Sequence, residues 1–448
     1  MNTTGDIRLN SSATMHLGDN YSIVNNYLDS NRHKTHREKV RVEFLRQLQT
    51  SPYEDRKNRN PKRADGTCKW FTTHGRFQNW REEKSAILWV SADPGCGKSV
   101  LARYLIDDIL PSSKTRTTCY FFFKDDFDDQ KTLEGALCCI LHQLFIQRPA
   151  LLSDEILDDF IEEEKQLFTF SRLWDMLIGA ANRHYHGEII CIVDALDECK
   201  GPEHLAAALT RLYSKGKTAS TLKFLVTSRP YRQIRQEFQD LLESQPTIHV
   251  SGECLPDEIA GEITISVKQR IDEICKKRQF STEEKKILQE ELAAVKHRTY
   301  LWVYLVFAVI EDALILNGVD LRTSIRNMPH TVEDAYDRIL RRSQNTDMAR
   351  EVLQIIVAAD RPLHLAEMAA IMTLQIKSHE CHENVECYKC HEDLERHLIP
   401  PDRLQARIRE ACRLFVVIQD SQIYLLHQTA REFLLQPKQS EDRSPLLK

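Results

Sequence analysis

The stretch Ala92-Asp-Pro-Gly-Cys-Gly-Lys-Ser99 decides which fold this chain adopts. It has the spacing of a phosphate-binding loop, with Ala92 in place of the usual first glycine. Gly95 and Gly97 let backbone N–H groups turn inward around phosphates. Lys98 supplies a positive charge to the β- and γ-phosphates, and the Ser99 hydroxyl is a ligand for Mg²⁺. The predicted nucleotide contacts are Ala92, Asp93, Pro94, Gly95, Cys96, Gly97, Lys98, Ser99 and Val100.

The sequence around this loop contains the two elements that the loop requires. An apolar run, Ile87–Val90, precedes it and predicts a buried strand. An amphipathic stretch, Val100–Leu110, follows it and predicts a helix whose positive N-terminal end faces the phosphates. The alternative, a glycine-rich turn with a surface lysine, does not call for this arrangement.

Further apolar runs predict the rest of a parallel sheet. They are continuous rather than alternating, as expected of strands buried on both faces. These runs are Cys119–Phe123, Ile189–Val193, Phe224–Val226 and Ile248–Val250. The helical stretches between them are Leu133–Phe145, Leu173–Ala181 and Leu205–Leu212. Alternation of strand and helix predicts an α/β P-loop NTPase core.

Polar residues follow two of these strands at the carboxyl edge of the sheet, where open α/β sheets bind ligands. Asp194 ends one strand and is a candidate Mg²⁺ ligand. Asp197 and Glu198 come next and are candidates to orient or deprotonate the attacking water; the alternative for both is stabilisation of a helix N-terminus. Arg229 follows the strand Phe224–Val226 and either senses the γ-phosphate or forms a surface ion pair.

Composition excludes several classes of protein. Of 448 residues, 61 are Lys or Arg and 66 are Asp or Glu, so the net charge of −5 argues against a dedicated nucleic-acid binder. The longest apolar run, Tyr300–Ile310, is shorter than the roughly 20 residues that span a membrane. The polar N-terminus has no signal-peptide core. We therefore expect a cytoplasmic protein whose 13 cysteines are reduced.

The pattern of the whole chain predicts several domains. Residues 257–345 have helical periodicity, and a strand pair, Leu414–Ile418 with Ile423–Leu426, precedes a helix at Thr429–Leu435. This favours an all-α helical domain followed by a winged-helix domain. The expected boundaries are a β-forming motif at 1–30, a basic helix and exposed linker at 31–66, the NTPase core at 67–235, the helical domain at 236–345, the winged helix at 346–438 and a tail at 439–448.

Several further motifs are shared with a known family. They are Thr67–Phe71 with Trp80, the loop Ala92–Ser99, Tyr120–Asp125, Leu141–Leu144, Asp194–Glu198, Thr227–Pro230, Leu301–Val303, Ala335–Leu340 and Leu426–Leu434. On these residues, between about 67 and 436, the chain resembles the fungal NACHT-type NTPases of the STAND class, related to NOD-like receptors. The tandem acids Asp197 and Glu198 distinguish this class from other P-loop families.

The resemblance implies a switch driven by ATP or GTP with Mg²⁺, whose hydrolysis is slow. In this class a helical domain and a winged helix fold over bound diphosphate, and exchange for triphosphate permits self-association. His427 matches the winged-helix histidine that reaches the diphosphate; alternatively it caps local backbone. Tyr300 stands where many relatives of the wider class carry a proline that contacts the nucleotide. The role implied is in fungal self/non-self recognition or programmed cell death.

Two segments outside this core carry hypotheses of their own. Residues 5–23 alternate with period 2 and resemble fungal amyloid-templating motifs, so they are expected to template an effector protein by cross-β stacking, or else to form a tail or edge strand. Cys381, Cys387, Cys390 and His391 are enough ligands for structural zinc, but their spacing matches no standard zinc finger, which favours a reduced polar loop instead.

Three classes of function compete. The first is the STAND switch, the second a conventional P-loop enzyme such as a kinase or motor ATPase, and the third a scaffold without hydrolysis, which intact Lys98, Ser99 and Asp194 argue against. Receptors of the first class continue into repeats after the winged helix. None follows here, so the sensor is expected to be missing, separate or lost from a truncated gene model.

Overall fold

The structure is a computed structural model. It describes residues 36–92, 94–183, 187–214, 221–230, 234, 236, 238, 247–250, 257–295, 299–312, 329, 331–341, 343, 345–380, 398–419 and 421–436. The predicted strand-forming segment at 5–23, the tail at 439–448 and the cysteine cluster at 381–391 lie outside these residues.

The described elements alternate between strand and helix in the first half of the chain and are mostly helical in the second. The strands are β1 (Ala86–Ala92), β2 (Arg116–Phe122), β3 (Glu188–Asp194), β4 (Leu222–Ser228), β5 (Thr247–Val250), β6 (Leu363–His364), β7 (Val416–Gln419) and β8 (Gln422–Leu425). The helices of the first half are α1 (36–48), α2 (Tyr53–Arg59), α3 (Lys69–Thr73), α4 (Gly75–Glu82), α5 (Lys98–Tyr104), α6 (Leu133–Gln147), α7 (Asp154–Leu167), α8 (Phe170–Asn182) and α9 (Pro202–Ser214). Those of the second half are α10 (Asp257–Arg278), α11 (Thr282–Ala294), α12 (Tyr300–Asp312), α13 (Val332–Arg341), α14 (Thr346–Ala358), α15 (Leu365–Glu380), α16 (Pro401–Cys412) and α17 (Gln428–Leu435).

The first five strands form one parallel sheet in the order β2-β3-β4-β1-β5. Phe224 of β4 lies between Ile87 of β1 and Cys191 of β3, which fixes the register of the three central strands. Because all five strands run the same way, their carboxyl ends meet at one edge. The predicted parallel sheet is confirmed.

Both faces of this sheet are covered, which explains why its strands are apolar throughout. Ile87 and Trp89 of β1 pack into a core that includes α1 and α6 to α9. Leu88 and Val90 point the other way, into a core shared with α3 to α5 and α10 to α12. The second core joins the helices after the sheet to the sheet itself, and it brings α12 to the edge that carries the nucleotide motifs.

The C-terminal elements have a third core. Helices α13 to α17 pack around a small antiparallel sheet in the order β6-β8-β7. The rings of Tyr336, Phe415 and Phe433 lie within 4.9–6.1 Å of one another, centroid to centroid, at its centre. The predicted strand pair is present, but β7 begins at Val416 because residues 413–415 form a 3₁₀ turn.

The prediction of an exposed linker after α1 is wrong. Part of this stretch is α2, which packs beside β2. Two basic residues of α2 form salt bridges: Arg56 pairs with Asp129 at 2.8 Å, and Lys57 pairs with Asp107. In the sequence, the excess of basic residues indicates an exposed linker. In the structure, acidic residues more distant along the chain neutralise part of this charge, so the segment packs against the core.

None of the described helices is long and apolar enough to cross a membrane.

Candidate nucleotide-binding site

The phosphate loop connects β1 to α5 as predicted. Gly95 and Gly97 have φ angles of +75° and +82°, in the left-handed region that glycine tolerates best. Ala92, in contrast, is the last residue of β1 and is extended, so an alanine in place of the first glycine is not strained. Pro94 through Val100 are all half-buried, and Asp93 lies outside the described residues.

Lys98 begins α5 at the centre of the site. Its Nζ donates to the Ala92 carbonyl at 2.7 Å, so the ammonium group lies next to the end of β1, at the start of the loop. Burial lowers the pKa of Lys98, and the nearby carboxylates of Asp197 and Asp194 act in the opposite direction. A half-buried cation beside backbone amides is an environment suited to phosphate oxygens.

Asp194 ends β3 and is 1% exposed. Its Oδ1 accepts from the Thr227 hydroxyl at 2.6 Å, and the Ser99 hydroxyl also donates to it. Burial nevertheless raises the pKa of Asp194. The two predicted Mg²⁺ ligands, Ser99 and Asp194, are thus brought together.

This pair fits the way proteins bind Mg²⁺ with nucleotides, through one or two side chains and the phosphates. Among the described residues, no group of three or more His, Cys, Asp or Glu side chains is placed to hold a metal ion by itself. A metal here would therefore need the phosphates as ligands too.

The tandem acids have different surroundings. Asp197 accepts from the Arg229 backbone N–H at 2.9 Å and pairs with the Arg229 Nε at 3.2 Å, so it is committed to that residue. Burial raises the pKa of Glu198 to about 7, against the charge of Lys124, which lowers it. A carboxyl with a pKa near neutrality is suited to general base catalysis.

The alternative role for these acids, at a helix N-terminus, does not match their position. They lie on a 3₁₀ turn, Leu196–Glu198, and α9 starts only at Pro202.

Arg229 is buried rather than on the surface. Its side chain is 5% exposed and lies between Asp197 of the sheet edge and Glu432 of α17, with which its Nη1 pairs. The predicted alternative, an ion pair, is present, but it is a buried pair that joins two distant parts of the chain.

His427 caps α17. Its Nδ1 accepts from the Thr429 backbone N–H at 3.1 Å, which is the local capping role considered as an alternative. Burial lowers its pKa to about 3, and the charges of Lys124, Arg229 and Lys98 act in the same direction. The imidazole therefore caps the helix, and the positive charges of the phosphate site act on it.

Two parts of the site are not among the site residues predicted from the sequence. Lys124 lies just beyond β2. Burial lowers its pKa, but the nearby carboxylates of Glu198, Asp126 and Asp125 raise it by more, so the pKa of Lys124 is raised overall. The first turn of α12 rests on the phosphate loop: a Cβ at Gly97 would lie 3.1 Å from the Tyr300 ring. Position at a strand end was a signal for Lys124, but no local pattern marks the contact of Tyr300.

Comparisons with known proteins agree with this geometry. The family model described as "Nephrocystin 3, N-terminal" matches residues 66–229, and a domain of unknown function (DUF7069) matches residues 259–316. The vegetative incompatibility protein HET-E-1 of Podospora anserina is 23% identical over 379 residues, which are 83% of this chain and 26% of that protein. The chain is therefore similar to fungal NACHT-type P-loop NTPases. It spans about a quarter of the length of this relative.

Two solved structures are only distantly similar to the chain. The ADP form of the ORC2 protein of Aeropyrum pernix is 11% identical, with a TM-score of 0.35, over 76% of this chain and 84% of that one. A Walker-type ATPase of Pyrococcus abyssi is 10% identical, with a TM-score of 0.36, over 80% and 92%. At these scores the likeness carries no argument, and the fold assignment rests on the sheet itself.

Proposed function

We propose that this chain is a nucleotide-operated switch, which binds ATP or GTP with Mg²⁺, hydrolyses it slowly and is inactive while its C-terminal helices cover the bound diphosphate. Exchange for triphosphate would release those helices and permit self-association. The observation that carries the proposal is the position of His427: its imidazole lies at the N-terminus of α17, where the charges of Lys98, Lys124 and Arg229 all act on it.

The hydrogen bonds of His427 support a phosphate contact. Because Nδ1 accepts from the Thr429 N–H, the neutral ring carries its proton on Nε2. Nε2 is then a donor, and phosphate oxygens are acceptors. A capping role and a phosphate contact are therefore compatible, since they use different nitrogens of the same ring.

The core residues have matching roles in hydrolysis. Lys98 would neutralise the β- and γ-phosphate oxygens, and Ser99 with Asp194 would hold Mg²⁺, which supplies further positive charge to those oxygens. Glu198 is the residue we assign to accept a proton from the attacking water, because Asp197 is occupied by Arg229. Arg229 would neutralise charge on the γ-phosphate.

The domain assignment belongs to the same proposal. We assign residues 67–235 to the NTPase core, 236–345 to a helical domain and 346–438 to a winged helix. The helices α14 to α16 and the β7–β8 hairpin, with β6 beside β8, support the last of these. The packing of α10 to α12 on the sheet supports a helical domain that moves with the core rather than apart from it.

The biological role is inferred from the named relative. That relative is a vegetative incompatibility protein, which supports a part in fungal self/non-self recognition or cell death for this chain too. Templating of an effector through residues 5–23 would transmit the signal. If so, triphosphate should cause the full chain to form thioflavin-positive fibres, and deletion of residues 1–30 should abolish them while nucleotide binding persists.

The main experiment identifies the nucleotide that co-purifies with the protein. Wild type should retain diphosphate, and Lys98→Ala should retain none. Lys285→Ala is the matched control, because Lys285 of α11 pairs with Asp272 of α10 at 2.6 Å, is 39% exposed and is not among the predicted nucleotide contacts. Negligible occupancy in all three would overturn the proposal. Turnover of about 1–100 s⁻¹ without retained diphosphate would instead favour a conventional P-loop enzyme.

A further inference from the structure

Arg229 connects two parts of the chain that are about 200 positions apart. It follows β4 at the sheet edge, while Glu432 lies in α17, and the separation is 203 residues. Asp197 holds the arginine from the core side through both its backbone N–H and its Nε. The Nη1 end of the guanidinium points the other way and pairs with Glu432.

The Glu432 carboxylate occupies a position on Arg229 that a nucleotide phosphate could also occupy. A guanidinium presents its donors in a planar fork that takes either a carboxylate or a phosphate. Asp197 engages the Nε side, so the γ-phosphate of a bound nucleotide could reach Arg229 only at the Nη groups. Glu432 already engages one of them.

Burial makes this competition consequential. The Arg229 side chain is 5% exposed, and removing one carboxylate from a buried charge is unfavourable even though Asp197 remains. Glu432 is 36% exposed, so it reaches water once it leaves the arginine. A triphosphate can thus replace Glu432 with little penalty for the carboxylate, whereas a diphosphate offers Arg229 no γ-phosphate in exchange.

The packing of α17 does not depend on this ion pair alone. Ala430 and Phe433 are buried in the third core, and the Thr429 hydroxyl lies 2.9 Å from the Tyr336 hydroxyl. Tyr424 of β8 stacks on Phe127 of the sheet-edge loop, with ring centroids 4.5 Å apart. A substitution at Glu432 is therefore expected to remove the ion pair while the helix stays folded.

We propose that Glu432 competes with the nucleotide γ-phosphate for Arg229, and that this competition couples the nucleotide state to the position of α17. The inference rests on the proposed switch. It adds the Arg229–Glu432 ion pair as a second link between the nucleotide and α17, independent of His427. Glu432 is a positioning residue in this scheme, because it acts through Arg229 and never touches the nucleotide.

The test is the ratio of triphosphate to diphosphate affinity, measured by titration of fluorescent ATP and ADP analogues, and of the corresponding guanine analogues, into the full chain. Glu432→Gln should raise this ratio at least about fivefold, the lower end of typical coupling between two sites. Glu367→Gln is the matched control: Glu367 pairs with Arg361 at 2.6 Å, is 39% exposed and lies in the same C-terminal part. Both variants change the net charge equally.

A double-mutant cycle separates coupling from general electrostatics. In an Arg229→Ala background, Glu432→Gln should have no further effect on the ratio. Thermal melting of each variant checks that the chain remains folded. A ratio within twofold of wild type for Glu432→Gln, in a protein that binds nucleotide and loses it on Lys98→Ala, would overturn this inference and leave the switch standing. Failure of wild type to bind any nucleotide would overturn both.

Discussion

The Leu301 backbone N–H donates to the Gly95 carbonyl at 3.3 Å, so the first turn of α12 rests on the phosphate loop. The loop and the helices after the sheet therefore form a single structural unit at this point. A nucleotide that reshapes the loop would also act on α12, and through it on the second and third cores, in which its residues are buried.

Gly95→Ala should disrupt this contact. The φ angle of +75° costs a non-glycine residue roughly 1–2 kcal/mol, and the added Cβ would lie 2.6 Å from the Leu301 Cβ. We expect a lower melting temperature and loss of co-purifying nucleotide. Gly179→Ala is the control, since a Cβ there meets nothing within 4 Å and an alanine in a helix gains about 0.5–1 kcal/mol. A Gly95→Ala protein as stable as wild type would contradict the contact.

Thr227→Val should weaken the metal side of the site. The Thr227 hydroxyl donates to Asp194 at 2.6 Å and accepts from the Ala195 N–H at 2.9 Å, and both partners are buried. Loss of the hydroxyl removes the partner of the buried Ala195 N–H and one of the two donors to Asp194, at about 1–3 kcal/mol. We expect a higher Mg²⁺ requirement for nucleotide binding, measured by titration. Thr227→Ser keeps the hydroxyl and should behave as wild type; an equal loss in both variants would contradict the role of the hydroxyl.

Lys124→Met should shift the pH dependence of hydrolysis. The pKa of Glu198 is about 7, and Lys124 lowers it, so removal of that charge should raise it. A general base acts when deprotonated, which means that the rising limb of the rate profile should move to higher pH and the rate at pH 7 should fall several-fold. Single-turnover rates between pH 6 and 9 measure this. An unchanged profile would remove Glu198 from the role of base.

His427→Asn should reduce the acid sensitivity of the apo protein. Burial lowers the pKa of His427 to about 3 in the folded protein, from about 6.5 for a histidine in the unfolded chain. As pH falls, the unfolded chain therefore takes up this proton first. The stabilisation that His427 contributes should therefore be complete above pH 6.5 and fall by about 1 kcal/mol by pH 5.5. Asparagine retains a helix cap but does not titrate. The change in stability between pH 8 and 5.5, measured by melting, should differ between wild type and the variant by this amount, and an equal change in both proteins would contradict the burial of the imidazole.

The sheet and the phosphate loop could be predicted because their signals are local. Each buried strand is a continuous apolar run, and a loop between strand and helix has one spacing that lets backbone amides face phosphates. The same holds for Asp194 and Arg229, which were found because strand ends in a parallel sheet meet at one edge. In contrast, the choice between Asp197 and Glu198 depended on which acid Arg229 engages, and adjacent residues look equivalent in a sequence.

The amino-acid sequence by itself determined the α/β core, the phosphate loop and the acids at the sheet edge, because these follow from hydrophobic runs and short motifs. Only the tertiary structure decided what covers that edge. The phosphate loop contacts Tyr300 and Leu301, and Arg229 contacts Glu432. In each case the two partners are about 200 residues apart along the chain. No local pattern encodes such contacts, since they depend on how three separate hydrophobic cores pack together.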